Sequence, residues 1–116
     1  MAVLFILNDP PYGTERSYNA LRLAKALHKS DPGTDIALFL MADAVSCAKA
    51  GQKTPQGFYN LELMIKGAAR HAKIILCGAC MDARGLADDE LVEDVKRGTM
   101  AELAQLTLEA DRVLVF

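Results

Sequence analysis

The stretch ILCGACMDARG, residues 75–85, holds two thiols, Cys77 and Cys80, directly after an apolar run and just before Arg84 and Gly85. Thiolates attack sulfur and bind metals, so this spacing opens several chemistries. Inert packing is one, because free cysteine behaves as a small hydrophobe. A redox dithiol is a second, since C-x-x-C at a helix start is the thioredoxin arrangement. Against it, the pair follows the third apolar run rather than the first, with no neighbouring tryptophan and no proline between the cysteines. Zinc needs about four ligands. Cys77, Cys80, His71 and Cys47 would have to assemble without any recognisable spacing, so the sequence predicts neither metal nor cofactor. The fourth reading is a sulfur nucleophile at Cys77 that carries a persulfide, with Arg84 beside the anionic sulfur and Cys80 able to resolve it. Spacing alone leaves these readings open.

Four strand-sized apolar runs organise the chain: Ala2 to Leu7, Asp35 to Met41, Lys73 to Cys77 and Arg112 to Phe116. They lack clean alternation and are rich in β-branched and aromatic residues, as strands covered on both faces are. Helical spacing recurs between them. Leu21, Ala24 and Leu27 mark a helix from Thr14 to His28, with Thr14 as its cap. A shorter helix is expected over Ala42 to Ala50. Phe58, Leu61, Ile65, Ala68 and Ala72 mark another over residues 58–72, and Thr99 caps a last one carrying Leu103, Leu106 and Ala110. The acidic stretch DDELVEDVKR reads as a solvated helical face. This alternation predicts an α/β fold with a mostly parallel sheet and helices on both faces.

In such sheets ligands gather beyond the carboxyl ends of the strands. NDPPYG, ADAVS and CGACMDARG therefore share one edge. Asn8, Asp9 and Tyr12 are candidate binding residues there, although the two prolines suit a rigid turn and Asn8 or Asp9 suits a helix cap. A helix starting soon after Cys77 would favour the thiolate, lowering its pKa from about 8.5 toward neutrality. Gly78 would let a ligand approach the backbone. Cys47 reads as packing, and His28 and His71 as surface groups near helix ends. The glycine-bounded loop GQKTPQG, residues 51–57, is either a lid or a connection.

The whole chain limits the functions available. Its 116 residues suit one domain over 1–116. A net charge of −2 leaves no basic footprint for nucleic acid or an anionic membrane. The opening apolar run is too short for a membrane span and has no basic leader, and three cysteines, an odd count, fit a reducing compartment. A soluble cytoplasmic protein is expected.

Taken in order, LNDPPYGTERSYNALRLAKAL, FLMADAVSCAKAGQKTPQGFYNLELMI and ILCGACMDARGL resemble the DsrE/DsrF-like family of small sulfur-relay proteins, most closely its YchN-like branch. The resemblance covers almost the whole chain. It implies a three-layer α/β/α sandwich, assembly into homotrimers or hexamers, and a cysteine that accepts sulfur as a persulfide and passes it to another protein. Carried over by position, that acceptor is Cys77, followed by Arg84 and Gly85, with Cys80 as second choice. The expected function is a sulfur carrier that works with a donor or acceptor protein. Its rivals are a non-catalytic oligomeric binding module with structural cysteines and a Cys77/Cys80 dithiol protein.

Overall fold

All four apolar runs form strands, and a fifth strand joins them from a stretch read as helical. The computed structural model describes all 116 residues. The strands are β1 (Ala2–Leu7), β2 (Asp35–Leu40), β3 (Ala72–Cys77), β4 (Lys96–Gly98) and β5 (Arg112–Val115). They make one sheet in the order β4-β3-β2-β1-β5, with every pair parallel. The helices are α1 (Arg16–Ser30), α2 (Leu61–Ala68), α3 (Gly78–Ala83) and α4 (Met100–Glu109).

Adjacent residues of the central strands are buried together, as in Val3, Leu4 and Phe5 at 4% exposure or less. Such a strand needs cover on both faces. Leu4 and Ala37 lie in register on one face and line a cleft with Leu106 of α4 and Ala110, its C-cap. Helices α1 and α2 pack against each other and cover the opposite face, where Phe5 stacks on Phe116. The expected three-layer α/β/α sandwich is the fold observed.

The differences from the sequence reading are local. DDELVEDVKR is not a helix: Asp88–Glu90 form a 3-10 turn, and Lys96 opens β4. Buried Val92 donates its N–H to the Ala48 carbonyl at 2.9 Å, and Ala50 donates to the Glu90 carbonyl at 2.8 Å. Those bonds hold the segment extended. Ala42–Ala48 winds as a 3-10 turn rather than an α-helix to residue 50. Helix α1 starts at Arg16, because Glu15 takes a left-handed φ of 60° and Thr14 sits one residue too early to cap well. Helix α2 starts at Leu61, capped by the Asn60 side chain, so Phe58 lies outside it and is 69% exposed. The Thr99 cap forms as expected, accepting the Glu102 N–H at 3.2 Å.

His28 and His71 are not independent surface groups. Their rings stack at 4.0 Å between centroids and 5° between planes, and the His71 Nδ1 is buried without a hydrogen-bond partner. Burial, then the neighbouring His28, pushes the His71 pKa down.

Two consequences can be measured. A Cβ on buried Gly98 would overlap the Ile75 Cγ2 and reach the Glu102 Oε1 at 3.3 Å. Gly98→Ala is expected to cost about 1–3 kcal/mol in denaturant unfolding, the usual range for overpacking; an unchanged midpoint would refute this tight contact. Because folding depresses the His71 pKa, the unfolded chain takes up the proton first. Stability should therefore fall as pH drops through about 6.5, the ordinary histidine value. A pH series of unfolding midpoints should show a shallower decline for His71→Gln than for the unaltered protein.

Candidate functional site

The last residue of β3 is also the N-cap of α3. Cys77 Sγ accepts the Cys80 N–H at 3.4 Å, so the strand's end and the helix's first turn share one sulfur. The side chain is 7% exposed and lines a groove of about 470 Å³ with Gly78, Asp82, Arg97, Thr99 and Met100. Cys77 is thus reached from the β4 side of the sheet.

Cys80 is partly exposed, and its Sγ accepts the Ala42 N–H at 3.2 Å. Ala42 holds a φ of 48°, in the left-handed region that alanine seldom occupies. Backbone strain therefore sits beside the second sulfur, where it keeps an N–H aimed at it.

The expectation of a lowered Cys77 pKa is reversed. Burial raises it first, and the hydrogen bond with the Cys80 side chain raises it further. The Cys80 and Ala79 N–H groups pull it down without overcoming burial. The helix start is present as expected, but six residues of helix do not offset the desolvation of a thiol only 7% exposed. Cys47 behaves as packing: burial pushes its thiol to about 12, and its Sγ donates to the Asp9 carbonyl at 3.8 Å.

Arg84 lies next to the cysteines, but its recorded partners are oxygens. Its Nε bonds the Asp43 carboxylate at 2.9 Å and its Nη1 donates to the Cys80 carbonyl at 3.1 Å. Gly78 does admit a close neighbour, and that neighbour is Arg97. A Cβ on Gly78 would stand 3.0 Å from the Arg97 Cγ and 3.1 Å from its Nη1. Arg97 Nη1 donates to the Gly78 carbonyl at 3.1 Å and to Asp82 at 3.0 Å, while its Nε bonds Asp88 at 2.9 Å. The sequence reading missed Arg97 because β4 is three residues long and two of them are charged, which leaves no apolar pattern to read.

Asn8, Asp9 and Tyr12 share the carboxyl edge with Cys77 but occupy its far side. In the sheet order, the crevice where strand order reverses lies between β1 and β5. Asn8 closes it, since both its backbone N–H and its Nδ2 donate to the Phe116 carbonyl, at 2.9 and 3.2 Å. Asp9 pairs with Arg16 at 3.7 Å, and its carbonyl accepts the Ser17 hydroxyl at 2.8 Å. Tyr12 donates to Gln52 Oε1 at 2.6 Å and accepts the Leu61 N–H at 3.2 Å.

Those last bonds also fix the root of the loop at residues 51–57. Gln52 Nε2 donates to the Cys47 and Lys49 carbonyls, and Glu62 Oε1 accepts the N–H groups of Gly51 and Gln52. Burial would raise the Glu62 pKa, but these N–H donors and Lys66 hold it below the usual range. A lid hinged at Gly51 would have to break this set of bonds. At its root the segment is a tethered connection.

Comparisons with known proteins match this architecture along its length. Protein YchN of Escherichia coli K12 is 43% identical over 115 residues, covering 98% of this chain and 97% of its own. The protein MJ0989 of Methanocaldococcus jannaschii is 35% identical over 116 residues, covering both chains completely. The crystal structure of YchN from Escherichia coli superposes with a TM-score of 0.94 at 42% identity, covering 100% of this chain and 99% of that one. MTH1491 of Methanobacterium thermoautotrophicum shares the fold alone, with a TM-score of 0.79 at 13% identity over 99% and 97% of the two chains. The DsrE/DsrF-like family model spans residues 1–116. With the family matched from end to end and YchN at 43% identity, the chain belongs to the DsrE/DsrF-like family, in its YchN-like branch.

Proposed function

We propose that the protein is a sulfur carrier that accepts sulfane sulfur as a persulfide on Cys77. The observation that carries this reading is the groove at the end of β3, which has the Cys77 thiol in its wall and a second thiol one helical turn away. In the exchange, Cys77 sulfur attacks the outer sulfur of a donor persulfide, R–S–SH. A new S–S bond forms on Cys77, the donor's S–S bond breaks, and the donor leaves as R–SH with the proton that Cys77 gives up. The same exchange in reverse hands the sulfur to an acceptor thiol. Burial disfavours the thiolate at rest, so the docking donor supplies the base that takes the Cys77 proton. A partner protein with a basic or thiol-bearing segment fits that requirement.

The dithiol alternative has one specific observation in its favour, the hydrogen bonding between Cys77 and Cys80. If Cys80 attacks the inner sulfur of a Cys77 persulfide, a Cys77–Cys80 disulfide forms and hydrogen sulfide leaves. Intact mass spectrometry after exposure to a persulfide donor distinguishes the two. The expected result is the mass of added sulfur in the unaltered protein and in Cys80→Ser, and none in Cys77→Ser. Loss of two hydrogens that needs both cysteines would replace the carrier with a redox pair, and no mass change in any variant would leave a binding module.

We also propose that the chain assembles with copies of itself. Val113 and Val115 point to one face of the edge strand β5 at 39% and 67% exposure, and Leu108 of α4 is 83% exposed. Aliphatic surface of this kind suits an interface between subunits. Light scattering behind size-exclusion chromatography should give a trimer or hexamer, which Val115→Asp should weaken; a monomer at micromolar concentration would overturn the assembly.

A further inference from the structure

Arg97 makes the densest set of polar contacts around the cysteine turn, yet it touches neither sulfur. Its guanidinium spans three elements. It leaves from β4, lies across Gly78 at the start of α3, bonds the Gly78 carbonyl and Asp82 within α3, and bonds Asp88 in the following 3-10 turn. The side chain is about one-third exposed, so one of its faces is packed against protein. The hydrogen bonds to Asp88 and then Asp82 raise its pKa further, so its charge is permanent.

The chain between Cys77 and Cys80 needs such an anchor. Helix α3 has six residues and no acidic or basic group placed to favour its own dipole, and a helix that short does not persist unaided. What keeps the Cys80 N–H at 3.4 Å from Cys77 Sγ is the position of this first turn against the end of β3. Arg97 holds that position from the β4 side, and Arg84, the C-cap of α3, ties the other end to Asp43.

We propose that Arg97 is a positioning residue for the Cys77 sulfur: by clamping the Gly78 carbonyl it holds the α3 turn so that the Cys80 N–H meets Cys77 Sγ and the thiol stays in the groove wall. Glycine at residue 78 is part of the same device, because a Cβ there would occupy the space of the Arg97 Cγ, Cδ and Nη1. The assignment deepens the carrier reading, but its test does not depend on sulfur transfer.

The test is the pH profile of Cys77 alkylation by iodoacetamide, with fragment-resolved mass spectrometry separating Cys77 from Cys80. Burial and the Cys80 side chain push the Cys77 pKa up while the Cys80 and Ala79 N–H groups pull it down; releasing the turn loosens all of these, and burial, the largest, sets the sign, so the profile should move downward. For Arg97→Gln the rate near about pH 7.5 should rise roughly threefold to tenfold, tenfold being the effect of a one-unit fall on the thiolate fraction. Gly78→Ala should give the same displacement, and the double variant should give no more than either alone. Arg97→Lys, which keeps the charge but not the forked donor, should lie between. Unfolding midpoints establish that each variant is folded at the assay temperature. A merely structural arginine would lower those midpoints and leave the profile in place. That result, or additive shifts in the double variant, would overturn the assignment. Failure of sulfur loading with the shifted profile intact would count against the carrier reading alone.

Discussion

The parallel pairing of Lys96–Gly98 with Ile75–Cys77 is the contact on which the thiol's surroundings depend. It is short, and it works only because residue 98 has no side chain: the Ile75 methyl occupies the place of a Cβ. With that approach allowed, β4 lies flush against the last residues of β3, Arg97 is delivered over the start of α3, and Thr99 begins α4 on the next residue. Remove the approach and the groove loses a wall. A three-residue edge strand with charged side chains is also a poor template for pairing with another chain, which keeps the edge beside the thiol open.

Two physical effects compete at the sulfurs. Helix-start N–H groups favour anionic sulfur, and desolvation opposes it. At Cys77 desolvation wins, because the side chain is 7% exposed and its helix is a turn and a half long. At Cys80 the geometry differs, with greater exposure and an N–H delivered by a left-handed Ala42. The two thiols of one short motif therefore meet different electrostatic surroundings. The contrast between a guarded thiol and a more accessible one follows from backbone geometry rather than from residue type.

Much of the architecture was legible because buried parallel strands announce themselves as apolar runs. All four of those runs are strands, and the resemblance carried by the ordered motifs pointed to the family that the whole chain matches. The missing strand had no such signal. Lys96 and Arg97 belong to it by virtue of what lies beside them, and Val92 belongs to an extended segment through backbone bonds to Ala48 that no periodicity records. At the site, Cys77, Gly78, Cys80 and Arg84 do cluster, since they are local in sequence. Asn8 and Tyr12 follow a strand that ends on the same edge, yet their polar atoms are taken by Phe116, Gln52 and Leu61. Edge membership is a property of topology; which polar atoms remain free is a property of packing, and single-sequence patterns carry little of the second.

Closure of the β1/β5 crevice has a consequence for how the fold is used. In open parallel sheets the point where strand order reverses leaves a cleft that ligands ordinarily fill. Here the Phe116 carbonyl satisfies Asn8 twice, and the Phe116 ring stacks on Phe5 at 6.0 Å, so Phe116 occupies the ground between those strands. The groove lined by the Cys77 thiol lies two strands away, at the end of β3, where neighbouring strands run in sequence and form no natural cleft. A groove there must be built from side chains, which is the part played by Arg97, Thr99 and Met100. It is open on one side and its wall carries no histidine. Its one lining carboxylate, Asp82, is held by the Arg97 guanidinium at 3.0 Å, so the Cys77 thiol shares its groove with an ion pair rather than with a free base.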